Sequence, residues 1–160
     1  MKTRRATRSF TEEPVAHELL VRLMESARWA PSAGNRRIHK FVVIEDLPTI
    51  HLIHAFAPGM LSNPTALIII CTDKIKAAAE GVKLAVDSTT WVDVGAAAQN
   101  IMLTALELGL GSCPTTSFSH SGVRSVLNLP DHLEPEYIVQ LGHPVPETTD
   151  ALRGVHKTDR

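Results

Sequence analysis

Residues 91–108 constrain the fold more than any other part of the chain, because they predict a long helix that is apolar on nearly every face. Small and large apolar side chains follow one another around its axis: Ala96, Ala97, Ala98, Ile101, Met102, Leu103 and Ala105. The alanines permit neighbouring elements to approach closely. We therefore expect this helix to be central and buried.

The other elements alternate irregularly. Thr11 to Pro14 predict the start of a helix that ends near Trp29, and residues 65–71 predict a strand buried on both faces. Strands are also expected at 40–45 and 137–141, a short strand or loop at 112–118, short helices at 47–56 and 121–127, and a weaker helical or lid-like stretch at 74–86. The connections are too short for a full set of βαβ crossovers. We expect one α+β domain over residues 1–160, with a mixed, mainly antiparallel sheet and helices packed around the central helix.

Composition excludes several classes of protein. The 160 residues carry a formal net charge of −1, which gives no overall attraction to nucleic acid or to an anionic membrane. The longest apolar run, 66–71, is far too short to cross a bilayer. The two cysteines lack CxxC spacing, so neither a disulfide nor a cysteine metal site is expected. We expect a cytoplasmic protein.

Three segments contain side chains or backbone suited to ligand binding. Arg4, Arg5 and Arg8 offer bidentate donors for a phosphate, although composition alone favours a solvated basic terminus. The loop 31–35 exposes backbone amides beside Asn35, and by itself is also an ordinary helix-to-strand turn. The segment 109–116 places amides after the apolar helix, and in isolation is better explained as a glycine helix cap.

No other catalytic constellation is present. The sequence has no GxSxG, HExxH, Walker or GxGxxG motif. His51 and His54 are three residues apart, but no nearby carboxylate or cysteine completes a metal site, so no metal is expected. Asp93 is the one acid on the apolar helix, and we expect it to pair within the fold rather than act as a base.

Taken in order, these motifs resemble the nitroreductase family. They are Arg4-Arg5-Ala6-Thr7-Arg8-Ser9-Phe10, Ala30-Pro31-Ser32-Ala33-Gly34-Asn35, and Asp93 to Ser112 with Gly95, Ala98, Gln99 and Asn100, followed by Leu129-Pro130 and Leu141-Gly142-His143-Pro144. The resemblance covers almost the whole chain. It implies an α+β homodimer that holds two FMN molecules at the subunit interface.

The resemblance also implies roles for particular residues. Arg4, Arg5 and Ala6 would lie beside the FMN phosphate, and Arg8 would lie near the pyrimidine edge of the flavin. The residues expected to reach the flavin from the partner subunit are Pro31, Ser32, Ala33, Asn35 and Arg37. Those expected to pass the flavin N5 atom are Pro114, Thr115 and Thr116. Arg153 would be a second phosphate ligand.

The sequence departs from the family pattern at three places. Ala6 replaces a serine, which removes a hydroxyl that would contact the phosphate, although backbone N–H groups can substitute. Arg36-Arg37-Ile38-His39 replaces a glutamine-proline-tryptophan segment. Its two cations favour an anionic substrate or the phosphate of NADPH, with surface arginines the equally weighted alternative. The chain is short for the family, so a reduced lid and C-terminal arm are expected.

The resemblance implies a ping-pong oxidoreductase. NAD(P)H would pass hydride to flavin N5 and leave, and a nitroaromatic, quinone or activated alkene would then accept it. No side chain of the protein need act as the catalytic group, because the flavin carries the chemistry. The alternatives are a flavin-binding storage or sensing protein, a relative that uses reduced flavin for dehalogenation or flavin breakdown, and a phosphate-binding α+β domain without flavin.

Overall fold

The computed structural model describes residues 4–146, in which a four-stranded sheet is covered by helices on both faces. In chain order the elements are α1 (His17–Arg28), a 3-10 turn (Ala33–Asn35), β1 (His39–Ile44), α2 (Leu47–Ala55), β2 (Ala66–Asp73), α3 (Lys74–Ala79), α4 (Thr89–Glu107), β3 (Gly111–Thr115), α5 (His120–Val126) and β4 (Leu133–Gly142). The strand order is β1-β2-β4-β3, and all pairings between these strands are antiparallel. The predicted α+β class is confirmed.

Strand β2 lies at the centre of both cores. All eight of its residues are buried, because alternate side chains enter different layers. Ile68 and Ile70 pack in the layer formed with α1 and α4, whereas Leu67 and Ile69 pack in the layer formed with α2 and α5. The prediction of a strand covered on both faces is confirmed.

Helix α4 is covered only in part within one chain. Val94, Ala98 and Ile101 are buried against α1 and the sheet. Trp91 and Val92 are instead 56% and 68% exposed. The apolar helix therefore exists as predicted, but within the described part of one chain it is buried on one face only, so the expectation of a central, buried helix is not met there.

The start of the first helix differs from the sequence prediction. Helix α1 begins at His17 rather than near Thr11. The Thr11 N–H donates to the His143 carbonyl at 2.8 Å, and Phe10 forms a β-bridge with Pro144. Pairing with the chain beyond β4 holds this segment extended, which overrides the local helix-start residues.

No helix within residues 4–146 is long and apolar enough to span a membrane.

Two further boundaries differ from the sequence prediction. The stretch 74–86 forms only the short helix α3, which ends before Gly81, where φ is +69°. Strand β4 begins at Leu133 rather than Tyr137, and its first residues pair with the end of β2 across an irregularity in the register. Long-range pairing decided the start of β4, whereas a local turn at Gly81, in which the Val82 N–H donates to the Ala77 carbonyl at 2.8 Å, ends α3.

Candidate functional site

The N-terminal arginine segment lies against the start of β3. The Thr7 N–H donates to the Ser112 carbonyl at 2.9 Å. A Cβ atom added to Gly111 would lie 2.7 Å from the Thr7 Oγ1 atom, so this close approach requires glycine. Arg4 and Arg5 line a hollow of about 240 Å³ beside Gly109 and Gly111. The structure therefore brings the first and third sequence motifs together.

The charges of this hollow are suited to a phosphate. Arg4 and Arg5, which line it, form no ion pair with any residue in the described range. Their guanidinium groups keep donors for an external anion, and the Gly109 to Gly111 turn leaves room beside them. The residues present therefore fit the phosphate end of a nucleotide.

The carboxyl end of β3 is held by a buried side-chain network. The Gln140 Nε2 atom donates to Thr115 Oγ1 at 2.6 Å, and the Ser62 hydroxyl donates to Gln140 Oε1 at 2.7 Å. Gln140 is fully buried and Thr115 nearly so, whereas Thr116 is exposed. This network fixes the Thr115 side chain at the end of β3. Our sequence reasoning missed Gln140, although a glutamine inside the apolar run 137–141 was a visible signal.

A carboxylate on α4 anchors the loop 31–37. Both oxygens of Asp93 accept from the Ala33 backbone N–H, at 3.1 and 3.0 Å. The expectation that Asp93 pairs within the fold is confirmed. Asn35 and Arg37 have left-handed backbone conformations, with φ of +54° and +50°. The Pro31, Ser32 and Asn35 side chains remain fully or partly accessible.

One chain does not unite the two groups of predicted residues. Asp93, which holds Ala33, lies near the start of α4, whereas Arg4 and Arg5 lie by Gly109 just beyond its end. A helical rise of about 1.5 Å per residue separates these positions by roughly 20 Å. Pro31, Ser32, Ala33, Asn35 and Arg37 therefore form one group. The segment with Arg4, Arg5, Ala6 and Arg8 lies by the start of β3, and Pro114, Thr115 and Thr116 lie at the other end of that strand and just beyond it. Arg153 lies outside the described residues.

Neither the cysteines nor a cluster of metal-binding side chains supplies another reactive group in the described part of the chain. Burial raises the pKa of Cys71 to about 12 and also raises the pKa of Cys113, so both remain protonated thiols at neutral pH. The His54 ring contacts the Met60 carbonyl at 2.5 Å. Across residues 4–146 no cluster of three or more His, Cys, Asp or Glu side chains is arranged to hold a metal.

Comparison with known proteins decides the family. The model of the Nitroreductase family matches residues 1–143. This chain belongs to the nitroreductase family. The family resemblance inferred from the three sequence motifs is thereby confirmed, and the nitroreductase assignment makes the chain an oxidoreductase.

Individual nitroreductase relatives agree in sequence and in fold. A Methanothermobacter thermautotrophicus protein named NADH dehydrogenase/NAD(P)H nitroreductase is 31% identical, over 94% of this chain and 79% of that protein. The crystal structure of a nitroreductase family protein from Clostridium difficile 630 has a TM-score of 0.78 and 28% identity, over 98% of this chain and 90% of that one. An FMN-dependent nitroreductase from Clostridium difficile R20291 has a TM-score of 0.77 and 26% identity, over 99% and 97% of the two chains.

Proposed function

We propose that this nitroreductase is an FMN-dependent oxidoreductase that takes electrons from NAD(P)H and acts in the cytoplasm. The observation that carries the proposal is the position of Arg4 and Arg5, without ion-pair partners in the described chain, beside the glycine turn that leads into β3. When bound, FMN supplies the hydride chemistry at its N5 atom. NAD(P)H and a nitroaromatic, quinone or activated alkene use the site in turn, in a ping-pong sequence.

The chain's own residues bind and orient the cofactor. Arg4 and Arg5 hold the phosphate, together with backbone N–H groups near Ala6. Arg8 places a positive charge at the pyrimidine edge, which favours the reduced form. Backbone N–H groups at Pro114 to Thr116 can come only from Thr115 and Thr116, because proline has none. Arg153 is proposed as a second phosphate ligand.

We infer that the working unit is a homodimer. The loop that contains Pro31, Ser32, Ala33, Asn35 and Arg37 is separated from the arginine group along α4, so a second copy is needed to complete the site. The exposed face of α4, with Trp91, Val92 and Gly95, offers an apolar surface for that copy. The cofactor then lies between the two subunits.

The first test is a visible absorption spectrum. The purified protein is supplemented with FMN, desalted, and measured before and after anaerobic addition of NADPH and then NADH. Retained flavin that bleaches rapidly supports the reductase and names its donor. Retained flavin that stays oxidised favours storage or sensing, and absence of retained flavin contradicts the proposed cofactor site.

A matched pair of arginine variants tests the placement of the cofactor. Arg36 donates to Asp87 at 3.2 Å, whereas Arg8 has no such partner among the described residues. We therefore expect Arg8→Ala to lower flavin affinity or the reduction rate by about tenfold and Arg36→Ala to change them less. Equal and negligible effects in the two variants would contradict the placement.

A further inference from the structure

A second cleft lies between the end of α1, the loop 31–37, the start of β1 and the start of α4. Its volume is about 390 Å³, which is within the range of pockets that hold small ligands. One wall is apolar and includes Met24, Phe41 and Ala97. The lining also includes four cationic side chains, Arg28, Arg37, Lys40 and Lys76. We call this the basic cleft.

The charges of the basic cleft are unbalanced. Asp93 is the one acidic residue that lines it, and both of its oxygens already accept from Ala33. The four cationic side chains form no ion pair within residues 4–146. His39 also lines the cleft, and burial lowers its pKa, so it contributes a neutral ring at neutral pH. A cleft with this excess of positive charge attracts an anion.

Arg37 is held in place at three of its own atoms. Its backbone N–H donates to the Ser32 hydroxyl at 3.3 Å, its carbonyl accepts from Lys76 Nζ at 2.9 Å, and its Nε atom donates to Asn35 Oδ1 at 2.9 Å. These bonds maintain a left-handed backbone, with φ of +50°, which a residue with a side chain adopts at some energetic cost. Such local strain is typical of ligand sites. Within residues 4–146 the two terminal guanidinium nitrogens of Arg37 form no ion pair, so they keep donors for an anion.

The neighbouring arginine does not share this role. Arg36 is tied to Asp87, and the charge of that pair is neutralised. The two arginines that replace the family's glutamine-proline-tryptophan segment are therefore unequal, and only Arg37 adds free charge to the basic cleft. Pro31 and Ser32, which line the cleft, belong to the loop that we propose to reach the partner's flavin. The basic cleft is thus continuous with the proposed reaction site.

We propose that the basic cleft binds the anionic group of a substrate, with the cations holding the charge and the Met24, Phe41 and Ala97 wall receiving the uncharged part. The substrate's identity rests on the proposed function, which offers two sources of such a group. One is the 2′-phosphate of NADPH, and the other is the carboxylate of an anionic nitroaromatic acceptor.

Calorimetric titration of the FMN-supplemented protein at low salt tests the proposal without turnover. The ligands are two matched pairs that differ in charge: NADP⁺ with NAD⁺, and 4-nitrobenzoate with nitrobenzene. The cleft variant is Arg28→Gln with Lys40→Gln, and neither residue is a proposed FMN ligand. The control variant, Arg22→Gln with Lys83→Gln, removes the same charge from exposed positions away from the cleft.

The wild-type protein should bind NADP⁺ or 4-nitrobenzoate about tenfold more tightly than the less negatively charged ligand of the same pair, and the cleft variant should lose most of that preference. The control variant should keep it. Preference within the first pair assigns the cleft to the donor, and preference within the second assigns it to the acceptor. The proposal is overturned if the wild-type protein prefers neither NADP⁺ nor 4-nitrobenzoate, which is also the result expected if another part of the protein covers the cleft. It is equally overturned if the preference survives in the cleft variant, or if it falls as much in the control variant as in the cleft variant.

Failure of the proposed function is distinguishable from failure of the cleft. A protein that binds the anions through Arg28 and Lys40 but holds no reducible flavin would retain the anion site and lose the reductase proposal. A protein whose flavin bleaches with NAD(P)H but shows no anion preference would retain the reductase proposal and lose the cleft.

Discussion

The Asp93 carboxylate in α4 holds the Ala33 backbone N–H with both of its oxygens, at 3.1 and 3.0 Å. The two residues are 60 positions apart in sequence. This contact fixes the loop 31–37 to the helix whose opposite end lies beside the arginine segment. One buried carboxylate thereby sets the position of the loop that we propose to reach the partner's cofactor.

Replacement of Asp93 by alanine should destabilise the protein and weaken flavin retention. The Ala33 N–H would lose its acceptor, at a cost of about 1–3 kcal/mol. The free energy of unfolding in urea measures the stability, and flavin retained after desalting measures the site. Asp131→Ala, at an exposed position, is the matched control. An Asp93→Ala variant that matches this control in both measurements would contradict the anchoring role.

Replacement of Gly111 by alanine should displace the arginine segment. The new Cβ would lie 2.7 Å from Thr7 Oγ1, too close for any carbon–oxygen contact. Because the Thr7 backbone is bonded to Ser112, the segment with Arg4 and Arg5 must move as well. We expect the FMN dissociation constant, measured by flavin fluorescence, to rise by about tenfold. Thr7→Gly in the same chain removes the obstructing side chain and should restore most of the affinity.

Replacement of Gly95 by leucine tests the proposed dimer surface without disturbing the fold of one chain. A Cβ at this exposed helical position meets no atom within 4 Å, and leucine gains about 0.5–1 kcal/mol of helix propensity over glycine. The helix should therefore be no less stable. The added side chain should nevertheless block the proposed dimer surface and lower flavin retention, as seen by sedimentation and absorbance. A variant that remains dimeric and retains flavin would place the subunit interface elsewhere.

Replacement of Gln140 by leucine should loosen the end of β3. It leaves the buried Ser62 and Thr115 hydroxyls without their shared partner, at about 1–3 kcal/mol for each group. We expect a lower free energy of unfolding and a shifted absorption spectrum of the bound flavin. Addition of Ser62→Ala and Thr115→Val removes the unpaired hydroxyls and should recover part of the stability. No recovery would mean that packing, rather than hydrogen bonding, sets the cost.

The ion pairs of Glu134 should contribute to acid denaturation. Burial raises the pKa of this carboxyl, but the hydrogen bond and charge of Lys74 and the charge of Arg124 outweigh burial and hold the pKa below its ordinary value. A folded-state pKa below the unfolded one means stability that is present above the unfolded pKa, about 4.3, and lost as pH falls through the folded pKa. Glu134→Gln should therefore lose less stability between neutral pH and acid than the wild-type protein does.

Glu136 on the same strand provides a control of opposite sign. Burial raises the pKa of the Glu136 carboxyl, so its contribution is present at acid pH and lost as pH rises through the folded pKa. Glu136→Gln should become relatively more stable at neutral pH. Urea unfolding of both variants across this range measures the two slopes. Identical slopes in the two variants would contradict the assignment of charge environments on β4.

Local patterns were sufficient wherever one element's own residues decide the outcome. The apolar run 91–108 formed α4, and the Ile-rich run 65–71 formed β2, because burial of continuous apolar sequence leaves few alternatives. The start of α1 was predicted wrongly, because Thr11 has suitable capping chemistry but its backbone pairs instead with His143, a residue far along the chain. No local pattern contains that partner.

The amino-acid sequence by itself determined the α+β class, the family and the residue types available for a phosphate and a flavin, because these depend on composition and on motifs in order. Only the tertiary structure decided which charges are free. It neutralised Arg36 with Asp87, engaged Asp93 with Ala33, and left Arg37 beside Lys76 in the basic cleft. It also placed Gln140 under Thr115. The physical reason is that the charge and hydrogen-bonding capacity of a side chain depend on partners that are distant in sequence and meet only when the chain is folded.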